Sequence, residues 1–112
     1  MFPYMTQYIK KEIYALDNAK DELASLPKNV QKEFGELINE IKEYGYLEYP
    51  EGKKLSGYDL FEMRIIDESI YRGIYCYSGD AVIILSFFKK KTQKTPLREI
   101  QKALKRKNNL IF

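Results

Sequence analysis

Apolar residues recur along this chain in two rhythms, one of three and four residues and one of two. Leu16, Ala19, Leu23 and Leu26 keep the spacing of a helix face. Asp17 is placed to cap that helix, and Asp21 and Glu22 lie in its first turns, where acids favour the helix dipole. Pro27 closes it, because the residue before a proline avoids the helical region. A second stripe starts at once. Val30, Phe34, Leu37, Ile38, Ile41 and Tyr44 form one apolar face, and Gly45 is a natural stop. The two stripes predict an antiparallel helix hairpin with a short connection.

From Leu60 the period falls to two. In Leu60–Ile66, Phe61, Met63 and Ile65 alternate with Leu60, Glu62 and Arg64. After a turn at Asp67–Ser69, Tyr71, Gly73, Tyr75 and Tyr77 share one face of a second strand, and Ile70, Arg72, Ile74 and Cys76 share the other. Ser78-Gly79-Asp80 predicts a hairpin turn, and Ala81–Phe88, apolar on both faces, a strand inside a sheet. Two stretches are less regular. Tyr8–Tyr14 is read as a strand and Tyr46–Gly57, with Pro50, Gly52 and Gly57, as a loop. Near the end, Thr95 is placed to cap a helix with Pro96 at its first position. Ile100, Ala103 and Leu104 would dock it with its lysines facing outward, and Leu110-Ile111-Phe112 would pack back or meet a partner. The fold class expected is α+β: a small antiparallel sheet, a meander plus an N-terminal strand, packed on an N-terminal helix hairpin, with a basic C-terminal helix. The 112 residues suit one domain spanning 1–112.

Charge sharpens this outline. Residues 89–107 hold nine Lys/Arg and one acid, a local charge of +8, whereas residues 1–88 hold ten Lys/Arg and fifteen Asp/Glu, a charge of −5. A segment so basic is either a surface for a polyanion or a solvated helix. The absence of histidine excludes Ser-His and Cys-His nucleophiles and His-rich metal sites. The lone Cys76, within an aromatic strand, reads as a small core residue and suits a reducing cytosol. No secretory leader, membrane span, P-loop, GxGxxG or CxxC is legible.

Chemistry therefore falls to Lys, Arg, Tyr and carboxylates. Glu62 and Arg64 share a strand face, Arg72 can meet them from the next strand, and Lys89-Lys90-Lys91 end the strand beyond. Such a group is costly to bury, so it is expected to face a groove open to water. It is either an exposed structural ion pairing or an anion site. A phosphodiester suits the second reading, since RNA cleavage can use the substrate's 2′-hydroxyl as nucleophile. The protein then needs arginines that grip the phosphate and a base, either Glu62 or a lysine of lowered pKa.

At these residues the chain resembles type II toxins of the RelE/ParE superfamily, in the phage-derived HigB-like branch. The resembling pieces are LASLPKNVQKEFGELINEIKEYG, KKLSGYDLFEMRI, YRGIYCY and FFKKKTQKTPLREIQKALKR, from about Leu23 to Arg106. The last resembles the F-x-K-K-T-x-K-T-P signature, and YRGIY the superfamily's YRxxY strand. The resemblance implies a cytoplasmic, ribosome-dependent mRNA endonuclease that inhibits translation, needs no metal or other cofactor, and is silenced by a HigA-like helix-turn-helix antitoxin. The pair would form a heterotetramer that binds operator DNA through the antitoxin. The alternative is a ParE-like gyrase inhibitor that cleaves nothing. By the same resemblance Arg72 contacts the scissile phosphate and Lys90 stabilises the transition state. Arg64 assists, and Glu62 is the base or positions Arg64. Lys53, Lys54, Lys89, Lys91, Lys94 and Arg106 contact RNA. The chain departs from RelE in placing Glu62 where a lysine aligns, and in having no tyrosine after Tyr77, which leaves Phe88 or Phe112 to stack on a base.

Overall fold

The computed structural model of the protein describes residues 10–65, 70–90 and 94–110. The expected turn at Asp67–Ser69, the beginning of the first strand before Lys10, Lys91 and the last two residues lie outside them. The elements run β1 (Glu12–Ala15), α1 (Asp17–Ala24), α2 (Lys28–Tyr44), β2 (Gly52–Leu55), β3 (Leu60–Arg64), β4 (Tyr71–Ser78), β5 (Ala81–Lys89) and α3 (Leu97–Asn108). The five strands form one sheet in the order β1-β5-β4-β3-β2.

Both helical stripes fold as helices, separated by Ser25–Pro27. Gly45 ends α2 in the left-handed region, at φ 87°, where a glycine carries no Cβ penalty. Two capping expectations are corrected. Asp17 is already the first helical residue of α1; Leu16 is the N-cap, and its N–H donates to the Ile84 carbonyl, so the chain passes from the sheet straight into the helix. Thr95 does not cap α3 either. Pro96 holds the N-cap position, and the Thr95 hydroxyl bonds elsewhere.

The sheet differs from expectation in two ways. It is mixed, because β1 pairs in parallel with β5 while all other neighbours are antiparallel. It also has a fifth strand where a loop was expected. Residues 52–55 pair with β3, and a four-residue connection containing Gly57 at φ 85° links the two strands. Two lysines on this short edge strand hide it from any hydrophobic pattern, and they also protect an open edge from further pairing.

Period-two alternation in β3, β4 and β5 separates two cores. On one face Met63, Ile65, Tyr71, Tyr75, Val82 and Phe87 pack against Ala19, Val30, Phe34 and Ile41 of α1 and α2. Phe34 meets Phe87 edge-on at 4.9 Å. Tyr44, expected on that apolar stripe, is half exposed instead. On the other face Leu60, Ile74, Cys76, Ile83, Leu85 and Phe88 pack against Ile100 and Ala103 of α3. The helices thus cover opposite faces of the sheet. Cys76 is a buried core residue, as its place in the strand implied.

Gly73 is the thin point of β4. A Cβ there would come within 2.9 Å of Met63 and 3.0 Å of the Phe87 ring. Further along, β5 slips by one residue opposite Ile74 and Tyr75. At that irregularity the backbone is met by side chains. The Phe87 N–H donates to Glu22 of α1, and Arg106 of α3 donates to both the Leu85 carbonyl and Glu22. One carboxylate therefore ties both flanking layers to the sheet. Lys102 joins the same carboxylate, and Lys107 reaches Asp59. The basic side chains of α3 do not all face outward as expected; Lys102, Arg106 and Lys107 are bound to Glu22 or Asp59.

Candidate active site

Strand register builds the site. Arg64 of β3 lies directly opposite Arg72 of β4, and Phe88 of β5 continues that row. One pair along, Glu62 lies opposite Ile74 on one side and Lys53 on the other. Like charges directly opposite one another destabilise a sheet unless something between them compensates. The Glu62 carboxylate is part of that compensation. Its Oε1 accepts from Arg72 Nη1 at 3.0 Å, and its Oε2 accepts from the Thr95 hydroxyl at the start of α3. Glu62 is 2% exposed and Arg72 5%.

These residues form the floor of a cleft of about 310 Å³, with Lys53, Lys54 and Tyr58 on one wall and Lys94, Thr95 and Ile100 on the other. The expected groove is present, but its floor is more deeply buried than an open sheet face would be. Five cations and one carboxylate are among the described residues that line it. The Arg64 Nε is buried and has no hydrogen-bond partner among the described residues. The Arg64 side chain also lines the cleft, and a guanidinium there suits an anion through its other N–H groups.

Lys90 sits next to this group. Alternation along β5 puts Phe88 on the Arg72 side of the sheet and Lys89 on the other, where its ammonium lies 5.8 Å from the Tyr71 ring centre; Lys90 follows the strand and is not among the described residues that line the cleft. Lys90 is buried, and burial lowers its pKa; the charges of Arg72, Arg64 and Lys53 lower it further, against the opposing pull of Glu62. Burial also works against the charge on Arg72, which Glu62 supports and Arg64 opposes.

Other expected contacts are distributed differently. Lys53 and Lys54 both line the cleft, but register puts Lys53 on the Glu62 face and Lys54 on the opposite one. Lys94 lines it as well. Arg106 is engaged by Glu22 and the Leu85 carbonyl, away from the cleft. Phe88 is buried in the second core, where no base can reach it. Glu62 meets Arg72 rather than Arg64. A participant missed from sequence is Thr95, whose position before a proline suggested a cap; its reach to β3 depends on how α3 docks.

The family model "Phage derived protein Gp49-like (DUF891)" matches residues 21–108. The chain belongs to that family. Its fold is that of RelE toxins. The free Escherichia coli RelE toxin mutant superposes with a TM-score of 0.69 at 20% identity, covering 87% of this chain and 97% of that one. RelE in the RelB-RelE complex of Methanococcus jannaschii gives 0.58 at 19% identity, over 68% of this chain and 88% of that one. In the RelE-RelB complex of Pyrococcus horikoshii the values are 0.56 and 23%, over 76% and 99%. No curated protein matches this chain. Among the described residues no helix is long and apolar enough to cross a membrane.

Proposed function

We propose that this chain is the toxin of a type II toxin–antitoxin system and that it cleaves mRNA on the ribosome. The observation that carries the reading is the opposed Arg64–Arg72 pair at the floor of a cation-lined cleft, where guanidinium N–H groups can donate to an anion. In this reading the phosphodiester lies across the two guanidiniums, which neutralise the charge that grows on its oxygens. The substrate's 2′-oxygen attacks phosphorus and forms the new bond. The bond to the 5′-oxygen breaks, and the 2′,3′-cyclic phosphate remains on the upstream fragment. Lys90, with its lowered pKa, gives a proton to the departing 5′-oxygen, and the 2′-hydroxyl proton leaves to water.

Glu62 is then a positioning residue. Both its oxygens already accept hydrogen bonds and it is almost fully buried, so holding Arg72 in place fits it better than taking a proton. Lys53, Lys54, Lys89, Lys91 and Lys94 attract the RNA backbone. A HigA-like antitoxin that covers the cleft would silence the chain, because the bound phosphate and a covering protein would compete for one space. Primer extension on mRNA after induction tests the reading. Codon-linked cuts are expected with the wild type and none with Arg72→Lys, which keeps charge but loses the two-pronged grip. Growth arrest with uncut mRNA and blocked DNA supercoiling would overturn it in favour of gyrase inhibition.

A further inference from the structure

Tyr49 belongs to neither core, and the mechanism above does not use it. It is 72% exposed, more than any other large apolar or aromatic side chain among the described residues. Single exposed aromatics are ordinary on protein surfaces. Two observations distinguish this one. Its ring centre lies 5.4 Å from the Arg64 guanidinium carbon, and Arg64 lines the cationic cleft opposite Arg72. The turn that carries it is also fastened at both ends. The Gly52 N–H donates to the Glu48 carbonyl and the Arg64 N–H to the Glu51 carbonyl, each at 2.8 Å. Gly52 packs so closely on Leu47 that a Cβ would lie 2.5 Å from the Leu47 Cβ. An aromatic ring is thus held out in water, in a fixed place, beside an anion site.

We propose that Tyr49 and Arg64 form a nucleobase platform, on which the base adjoining the cleft-bound phosphate stacks. The proposal rests on the reading of the cleft as an RNA phosphodiester site. One ribose separates a base from its phosphate, so a flat surface next to the phosphate site is within reach of a base. Every base has a π face, and an arginine beside the ring adds a cation–π contribution. No base edge is read by such a platform. It requires an unstacked base, whatever its identity. Arg64 joins the two sites: its guanidinium lies against the ring and belongs to the charge that faces the phosphate.

Cleavage on programmed ribosomes with Tyr49→Ala, Tyr49→Trp and mRNAs carrying an abasic nucleotide beside the cut tests this. Tyr49→Ala is expected to lower kcat/KM about tenfold on intact mRNA and Tyr49→Trp to retain it. On the abasic mRNA, wild type and Tyr49→Ala should be equally slow, since the stacking partner is already gone. Equal rates of wild type and Tyr49→Ala on intact mRNA overturn the platform, and so do losses that multiply on abasic mRNA. Loss of antitoxin binding by Tyr49→Ala with cleavage unchanged would make Tyr49 a protein contact and overturn it as well. If the wild type cuts no RNA at all, the functional reading fails by itself. The platform is then judged by a short 2′-deoxy oligonucleotide containing 2-aminopurine. Fluorescence quenching by wild type but not Tyr49→Ala supports it, and equal quenching by both overturns it.

Discussion

Buried charges dominate this molecule at the scale of single residues. Arg72→Ala would leave Glu62 inside the protein without its 3.0 Å partner, and an uncompensated buried carboxylate costs about 3 kcal/mol. The expected outcome is therefore a loss of stability as well as activity, measurable by urea unfolding. The double variant Arg72→Met with Glu62→Gln removes both charges at similar volume. It should recover most of the stability while cleavage stays down about 10²-fold or more. Lys90 gives a second prediction. As a proton donor it acts only in its protonated form, so activity should be lost as pH rises through its lowered pKa. Lys90→Arg keeps the charge but holds its proton throughout, so the alkaline fall should vanish from a slower reaction. A pH–rate profile for each protein checks this. None of this burial was legible in the sequence, where Glu62, Arg64 and Arg72 looked like a solvent-facing group.

Among the elements, β4 and α3 do two things at once. β4 carries Arg72 on one face and the aromatic core on the other, with Gly73 leaving room for Met63 and Phe87. Gly73→Ala should cost about 1–3 kcal/mol by overpacking and also lower activity, because Arg72 is the adjacent residue. Comparing urea midpoints with cleavage rates checks both halves. α3 closes the second core through Ile100 and Ala103, while Thr95, just before it, holds Glu62. Its anchor is Glu22. Although burial opposes ionisation there, Arg106, the Phe87 N–H and Lys102 together bring the Glu22 pKa below its ordinary value. A carboxylate with a depressed folded-state pKa stabilises above its unfolded pKa, and that stability is lost as pH falls through the folded value. Glu22→Gln should destabilise by about 2 kcal/mol at pH 7 and by much less in acid, where the wild-type advantage has gone. Thermal melts across that range provide the measurement. The helices themselves were readable from spacing, Pro27 and Gly45. The edge strand β2 was not, because its stability comes from pairing with β3. Gly57 in a short connection between Leu55 and Leu60 was the one signal for that hairpin.

At the scale of the whole molecule, charge is sorted by the fold as well as along the chain. The +8 carried by residues 89–107 divides between two uses. Lys102, Arg106 and Lys107 bind Glu22 and Asp59 and hold the layers together, whereas Lys94 joins Lys53 and Lys54 around the cleft. RNA affinity should therefore fall with salt, and removing Lys53 and Lys94 together should lessen the slope of log affinity on log salt by about 1.4. Titrations of a single-stranded RNA at several salt concentrations check the value.

The order of helices and strands apart from β2, the division of β3, β4 and β5 into two faces, and the residue types able to hold a phosphate were all determined by the sequence. Periodicity, proline, glycine and the absence of histidine are local properties, and they act before the chain is folded. Strand direction and depth of burial depend on which distant segments meet. The tertiary structure alone decided that β1 runs parallel to β5, that β2 closes the edge beside Lys53, that Thr95 reaches Glu62, and that Arg106 is used for Glu22. It also decided that Arg64 and Arg72 stand directly opposite one another, which brings two strand arginines together at one cleft.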